Sequence, residues 1–532
     1  MRKFSSYGPV SKKLNYYVPR EELISRACLE LIGEDADEGG HYITVWAPRQ
    51  CGKSWLMREV LWKLGENDRF HVLKLNLEHL KMVEDADEIA ASVGQDLIRK
   101  LSIENVSVSG MKDFHTLFLR KSVEKPLILI MDEFDALPEE AIGSFAGIFR
   151  NIYNIRREDS ARSEQKEYLL HAVALIGVRA VLGVENAKGS PFNVQQSLHI
   201  PNLTHEEVCA MFEWYERESG QKVGQEVPDR LFNETRGQPG LVSWFGELLT
   251  EGFEEFVPDK TRAITGNDFE RVYTAAIQIL PNNNIINIIS KARQEPHKRF
   301  VLDMFRSDKK IPFEFDDPDI SFLYMNGVID RESDGWKHFA RFSSSFVQRR
   351  LFNYFSRELF PDMGRLIELF DDLSDIFGAG GLGIRCLIRR YEKYLHKNRD
   401  WLLKDAPRRK DLRVTEAVYH FNLYEYLKGF FANKTARVWP EFPTGNGAID
   451  LIIEHEGKRY GLELKSYTDE SDYSDALKQA ARYGNSLKLP VIHLIVFVED
   501  IPDEYRKKYE KNHIDEKTGV TVKSVFVATG GK

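Results

Sequence analysis

The chain has 532 residues, 42% of them hydrophobic and 29% charged, with a formal net charge of −8. Its length exceeds one ordinary domain, and so much apolar material excludes a mainly disordered chain. The acidic balance excludes indiscriminate coating of nucleic acid, and no apolar run approaches the roughly 18 residues that a membrane helix needs.

The N-terminal Met1-Arg2-Lys3-Phe4-Ser5-Ser6 has neither an apolar stretch nor a small-residue cleavage site. Cys28, Cys51, Cys209 and Cys386 are scattered too widely for a disulfide framework or a zinc cluster. Both features predict a protein of the reducing cytoplasm. In chain order, a strand is predicted at 42–46, ending at Ala47-Pro48, and Gly52-Lys53-Ser54 opens an amphipathic helix to about residue 64. Strands follow at 71–75, 127–131 and 170–177, with helices at 86–101 and 141–153. Such alternation implies an α/β fold with a parallel, doubly wound sheet. Helices are predicted at 204–219, 229–234 and 240–252. Between 300 and 355 a helical start leads to a turn at Asn326-Gly327 and a hairpin of 328–331 and 339–342, the pattern of a winged-helix-like module. Residues 355–394 read as helical around a hinge at Gly378-Ala379-Gly380-Gly381. A helix at 415–431 then precedes strands at 437–439, 448–453, 459–464 and 491–498, with a helix at 475–483 between the last two.

The run Ala47-Pro48-Arg49-Gln50-Cys51-Gly52-Lys53-Ser54 fits a phosphate-binding loop, G-x-x-x-x-G-K-[ST], at every fixed position but the first. Backbone N–H groups and a helix N-terminus would face the phosphates, Lys53 would add a point charge, and Ser54 would offer a hydroxyl to Mg²⁺. Ala47 is acceptable wherever the first position does not demand positive φ. The strand at 127–131 ends in Asp132-Glu133: Asp132 suits the metal shell and Glu133 suits polarising a water. Asp135 either joins that site or caps the next helix. Cys51 reads as a small filler of the loop.

These motifs, with Tyr7-Gly8-Pro9 and Trp46-Ala47-Pro48-Arg49-Gln50, resemble the AAA-like ATPases of bacteria and archaea, near the STAND and archaeal ATPase branch. The resemblance extends to Leu175-Ile176-Gly177-Val178-Arg179, Ser190-Pro191-Phe192-Asn193, Pro201-Asn202-Leu203-Thr204 and Arg236-Gly237-Gln238-Pro239-Gly240. It implies ATP and Mg²⁺ as cofactors, Arg179 near the γ-phosphate, a helical lid opened by Gly237-Gln238-Pro239, homo-oligomers, and a winged-helix module after the lid. The family has a Gly-Gly-His-Pro-like form where this chain has Gln238.

Near the C-terminus, Asp450 interrupts an apolar strand, and Glu463 and Lys465 stand two apart in the next, on one face. A buried acid needs a partner or a metal, and two acids with a lysine can activate water against a phosphodiester. The order Glu416, Asp450, Glu463-x-Lys465, Gln479 resembles the PD-(D/E)xK nuclease superfamily, in the version fused to AAA-like ATPases. Glu416-Ala417-Val418-Tyr419-His420-Phe421, Thr444-Gly445-Asn446-Gly447 and Ile449-Asp450 carry that likeness. It implies Mg²⁺ or Mn²⁺ on Asp450 and Glu463, Lys465 beside the water, and Glu416 and Gln479 in support. Glu441 reads either as an exposed loop acid or as an additional metal neighbour, and His420 and His455 as residues of packing or solvation. Between Arg385 and Arg413 eleven Lys or Arg stand against four acids. With Tyr391, Tyr394 and Trp401 between them, they read either as a solvated helix face or as an arm on nucleic acid.

The domain plan is therefore an AAA-like P-loop NTPase domain at 1–200 and a helical lid at 201–297. A winged-helix-like module at 298–356, a helical basic linker at 357–412 and a restriction-endonuclease-like α/β domain at 413–532 follow. The expected function is an ATPase coupled to metal-dependent cleavage of DNA, in a mobile-element or phage-defence setting. The alternatives are a nucleotide-switched STAND-like sensor and a DNA-binding protein that cuts nothing.

Overall fold

In the computed structural model, the first part of the chain builds a parallel sheet of β1 (Tyr42–Trp46), β2 (His71–Asn76), β3 (Leu127–Asp132), β4 (Leu170–Gly177) and β5 (Gln195–His199). Its order is β2-β3-β4-β1-β5. The structure describes residues 1–8, 10–177, 195–251, 259–306, 310–367, 371–378, 380–404, 406, 407, 414, 416–441, 450–466 and 470–530, with side chains left aside at 195, 306, 416, 450 and 471. Arg179, Ser190-Pro191-Phe192-Asn193 and Thr444-Gly445-Asn446-Gly447 lie outside the described residues.

Strand β3 is apolar at every position from Leu127 to Met131 because both faces of the sheet are covered. Leu127, Leu129 and Met131 join Phe114, Phe145 and Phe149 in one core. Ile128 and Ile130 join Val45, Leu56 and Val60 in the other. Helix Lys53–Gly65 follows β1 directly, and helices Ala86–Leu101 and Glu139–Glu158 agree with the sequence pattern to within a few residues. Helix His205–Ser219 starts at a capping box of Thr204 and Glu207, which accounts for its sharp N-terminus. Helices Glu226–Thr235 and Pro239–Thr250 follow. Helices Glu21–Ile32 and Gly266–Gln278 and strand β5 are among the additions to the expected plan.

The chain divides into two units, Met1–Asn284 with Phe315–Gly327, and Ile285–Glu314 with Val328–Lys532. This division runs through the stretch 298–356. Helix Pro318–Met325 falls in the first unit, while β6 (Ile311–Pro312), β7 (Ile329–Asp334) and β8 (Lys337–Phe342) form a small antiparallel sheet in the second.

Residues 355–394 depart from the expected helix. Helix Ser345–Leu359 stops because Phe360 precedes Pro361, a position biased away from the helical region. The glycines are not a hinge. Gly378 and Gly381 belong to β9 (Phe377–Gly378) and β10 (Gly381–Leu382), which pair as a minimal antiparallel ladder. Gly381 has φ 113°, and a Cβ there would lie 2.2 Å from the Tyr460 hydroxyl oxygen, which accepts from the Leu382 N–H at 2.9 Å. Helix Ile384–Leu402 then resumes the pattern.

The C-terminal sheet comprises β11 (Ala436–Glu441), β12 (Asp450–His455), β13 (Lys458–Ser466), β14 (Val491–Val498), β15 (Asn512–Ile514) and β16 (Thr521–Ala528). The order is β11-β12-β13-β14-β16-β15: β11, β12 and β13 are antiparallel neighbours, whereas β13, β14 and β16 run parallel. Pro440 is tolerated because β11 is an edge strand. Helix Glu470–Ser486 covers one face through Ala476, Ala480 and Ala481 against Leu494, Val496 and Val522. On the other face Tyr419 and His420 of helix Glu416–Phe430 lie against the Phe497 ring, at 5.8 and 5.5 Å between centroids. Among the described residues, no helix is long and apolar enough to cross a membrane.

Candidate nucleotide site and a buried acid–lysine site

The loop after β1 carries two left-handed residues, Gln50 (φ 59°) and Gly52 (φ 88°). Gly52 is open to a Cβ but not to its backbone angle, so glycine is required there. Ala47 is not among the positive-φ residues, which is why alanine serves at the first position. The Lys53 ammonium donates to the carbonyls of Ala47 at 2.7 Å and Pro48 at 3.0 Å, folding back across the loop. Burial pushes its pKa down, opposed by Cys51, Asp135, Glu133 and Asp132. The Cys51 thiol is buried and pushed up in pKa by that burial, so it fills the loop rather than reacting.

Strand β4 lies between β1 and β3, so Ser54 meets the end of β3 across it. The Ser54 hydroxyl donates to Asp132 Oδ1 at 3.2 Å, and the Glu133 N–H donates to the same oxygen at 3.1 Å. A hydroxyl beside a carboxylate is the hard-oxygen set that Mg²⁺ takes, so these residues fit the expected ion. Lys74 of β2 stands 2.6 Å from Asp132 Oδ2 as a half-buried counter-charge that sequence reasoning missed. Its signal was a lysine inside an otherwise apolar strand. Glu133 has φ 57°, and burial raises its pKa, followed by repulsion from Asp135 and Asp132. Asp135 does not cap helix Glu139–Glu158, whose N-cap is Pro138; its carboxyl packs against Gly177 instead.

Gln238 has a role the sequence did not reveal. It caps helix Pro239–Thr250, its Oε1 accepting from the Leu241 N–H at 2.6 Å, while its Nε2 donates to the Arg49 carbonyl at 3.0 Å. The Gly240 N–H donates to the Gln50 carbonyl at 3.0 Å. A Cβ on Gly240 would lie 2.4 Å from Gln50 Oε1. The start of this helix thus grips the two middle residues of the loop.

In the second unit, Asp450 is the register partner of both Glu441 and Glu463. Glu463 is fully buried, and the Lys465 ammonium lies 3.4 Å from its Oε1. Glu463 and Lys465 pair with Leu494 and Val496, so they share the face that helix Glu470–Ser486 covers. Gln479 sits half-buried on that helix. Helix Glu416–Phe430 begins at Glu416 and packs on the opposite face. Glu441 is not an exposed loop acid: it ends β11, accepts from Arg349 at 3.0 Å and from the Trp439 indole at 3.2 Å. The side chains of Asp450 and Glu416 lie outside the described residues.

Among the described residues of the basic stretch, three arginines are engaged internally, while Arg385, Lys393, Lys397 and Lys404 are exposed. Arg389 pairs with Glu392 and Glu510, Arg390 with Asp371 and Asp375, and Arg399 donates to the carbonyls of Thr529 and Gly530. Tyr391 is buried and donates to Asn422 at 3.0 Å; Tyr394 donates to the Met363 carbonyl at 2.6 Å. Helix Ile384–Leu402 is therefore bound into its own unit through these arginines.

No curated protein matches the chain. Among solved structures, the Walker-type ATPase PABY2304 of Pyrococcus abyssi is 16% identical, covers 65% of this chain and 99% of its own, with a TM-score of 0.43. The Aeropyrum pernix Orc1 protein, solved in complex with DNA, is 13% identical over 64% of this chain and 93% of its own, at a TM-score of 0.33. The Thermotoga maritima RuvB Holliday junction branch migration motor is 12% identical over 60% of this chain and 92% of its own, at 0.32. Residues 5–251, the part of the chain that holds the Lys53 and Asp132 site, match the family model of an AAA-like domain.

Proposed function

We propose that the first unit binds and hydrolyses ATP with Mg²⁺, and that the second carries a metal-dependent, PD-(D/E)xK-type nuclease site that acts on DNA under nucleotide control. The convergence of Lys53, Ser54, Asp132 and Glu133 carries the first half. Phosphate oxygens compete with the Ala47 and Pro48 carbonyls for the Lys53 ammonium. Mg²⁺ held by Ser54 and Asp132 would neutralise charge on the phosphates. Glu133 accepts the proton of the attacking water. Arg179 near the γ-phosphate and homo-oligomers remain part of this proposal. Glu133→Gln should keep ATP binding and lose about 10²–10⁴ in turnover, as removal of a general base does; unchanged turnover in a phosphate-release assay would reject the assignment.

For the second half, what supports the reading is the register of Asp450 with Glu463, the burial of Glu463 and Lys465 on one face, and a helix bearing Gln479 over that face. Asp450 and Glu463 would hold Mg²⁺ or Mn²⁺, Lys465 would orient the water, and Glu416 and Gln479 would support them. The test uses supercoiled plasmid, full chain, Mg²⁺ or Mn²⁺, with and without ATP. Nicked or linear product is expected, lost in Lys465→Ala and indifferent to ATP in Lys53→Ala. Cutting that survives Lys465→Ala would exclude this site.

A second reading, a nucleotide-switched sensor or binder that cuts nothing, is favoured by one observation: Lys465 and Glu463 are already paired as ions at 3.4 Å in the interior. It predicts intact plasmid under every metal, with nucleotide retained through purification.

A further inference from the structure

Helices His205–Ser219 and Glu226–Thr235 bring together a histidine, a cysteine and a carboxylate that the nucleotide site does not use. His205 and Cys209 are four residues apart, so they rise on one face of their helix. Asp229 comes from the neighbouring helix. His205 Nε2 lies 2.8 Å from Asp229 Oδ1 and 3.7 Å from Cys209 Sγ, and the three donor atoms all lie within 4.8 Å of one another.

The chemistry of this cluster turns on which ring nitrogen is used. In a Cys-His-Asp relay the imidazole addresses its two partners with opposite nitrogens. Here one nitrogen faces both sulfur and carboxylate, so three lone-pair donors converge on one point. We propose that His205, Cys209 and Asp229 form a three-ligand site for a borderline-soft divalent transition metal, Zn²⁺ being the natural occupant, with the fourth position left to water.

The spacing fits. With Zn–S about 2.3 Å and Zn–N about 2.0–2.1 Å, tetrahedral geometry puts sulfur and nitrogen roughly 3.5 Å apart. The observed 3.7 Å needs little change; the 2.8 Å between nitrogen and carboxylate oxygen must open by about 0.6 Å, to roughly 3.4 Å, within reach of partly exposed side chains. Thiolate and imidazole select against Mg²⁺ and Ca²⁺. Gln225 holds the carboxylate from outside, its amide donating to Asp229 Oδ1 at 3.0 Å and standing 3.7 Å from Cys209 Sγ. The His205 and Asp229 side chains are 40% and 41% exposed, so an ion can enter from solvent. The two helices so joined precede the Arg236-Gly237-Gln238 turn that reaches the phosphate loop, and the metal would stiffen that approach. Cysteine spacing alone concealed the site, because it holds only one cysteine; a histidine four residues before it on a helix was the available signal.

The test is titration of the chelator-treated, nucleotide-free full chain with Co²⁺. One equivalent should bind with a near-ultraviolet thiolate-to-cobalt band, and Zn²⁺ should abolish that band by displacement. Cys209→Ser should remove the band although Cys28, Cys51 and Cys386 remain. His205→Gln and Asp229→Asn, both at exposed positions, should each weaken Zn²⁺ by about tenfold or more, with helix content unchanged by circular dichroism. A band that persists in Cys209→Ser would overturn the proposal. So would wild-type chain that takes up no Zn²⁺ below about 10 µM, an affinity of roughly 7 kcal/mol.

Discussion

Glu133 sits in a left-handed backbone conformation, uncommon for a residue with a side chain, and it does so beside two other carboxylates. Burial and those neighbours hold its proton to higher pH than an ordinary glutamate. As a base it must be ionised, so ATP turnover should fall on the acid side before the usual carboxylate range is reached, and Asp135→Asn should move that limb to lower pH in a pH–rate profile. Two buried histidines set a second pH effect. His171 donates to the Ile32 carbonyl and accepts from Ser163, and burial lowers it to about 3; His493 is lowered to about 4, again chiefly by burial. Their folded values lie below the unfolded 6.5, so the unfolded chain binds more protons between. Stability is whole above about pH 6.5 and declines as pH falls, by at most about 1.4 kcal/mol per pH unit for each histidine. Urea midpoints should follow that slope, and His171→Gln should flatten its share; a wild-type midpoint constant from pH 7 to 4.5 would refute it.

At the scale of elements, the link between the phosphate loop and helix Pro239–Thr250 is the most consequential contact. Gln238→Ala should cost about 1 kcal/mol as a lost N-cap and also weaken ATP binding, because the Arg49 carbonyl loses its amide. Nucleotide titration of the variant separates the two effects: stability lost with affinity intact would mean a cap only. Gly237→Ala should be worse, since φ is 69° and a Cβ would lie 2.0 Å from the Leu203 carbonyl oxygen. The regular elements near the nucleotide site were legible because their signals are local: the apolar run of β3, the Gly52-Lys53-Ser54 turn, the Thr204 and Glu207 box. Strand β5 was not, as its Gln195–His199 run is mostly polar. The Lys74 counter-charge and the Gln238 grip depend on strand order and helix packing, which spacing cannot supply. The basic helix taught the reverse lesson. Its charge excess was real in composition, but Arg389, Arg390 and Arg399 are spent on Glu510, Asp371 and backbone carbonyls. Arg389→Ala should therefore lower the melting temperature while leaving DNA affinity in a filter-binding assay unchanged.

For the whole molecule, the two proposed sites lie in different units, with Lys53 in the first and Lys465 in the second. A Lys465→Ala chain should hydrolyse ATP at the unaltered rate, and loss of turnover there would mean that the units do not work as assigned. The order of the parallel sheet also bears on how the protein is made. Strand β1 precedes the phosphate loop, yet its two neighbours are β4 and β5, both from beyond residue 169. During synthesis this strand waits on the ribosome with nothing to pair with, while β2 and β3 can already join. The loop residues are translated well before the two strands that flank β1, so the sheet under the loop is complete only once the chain has passed residue 199. A nascent chain halted before β4 emerges carries every residue of the loop but neither of the strands that pair with β1.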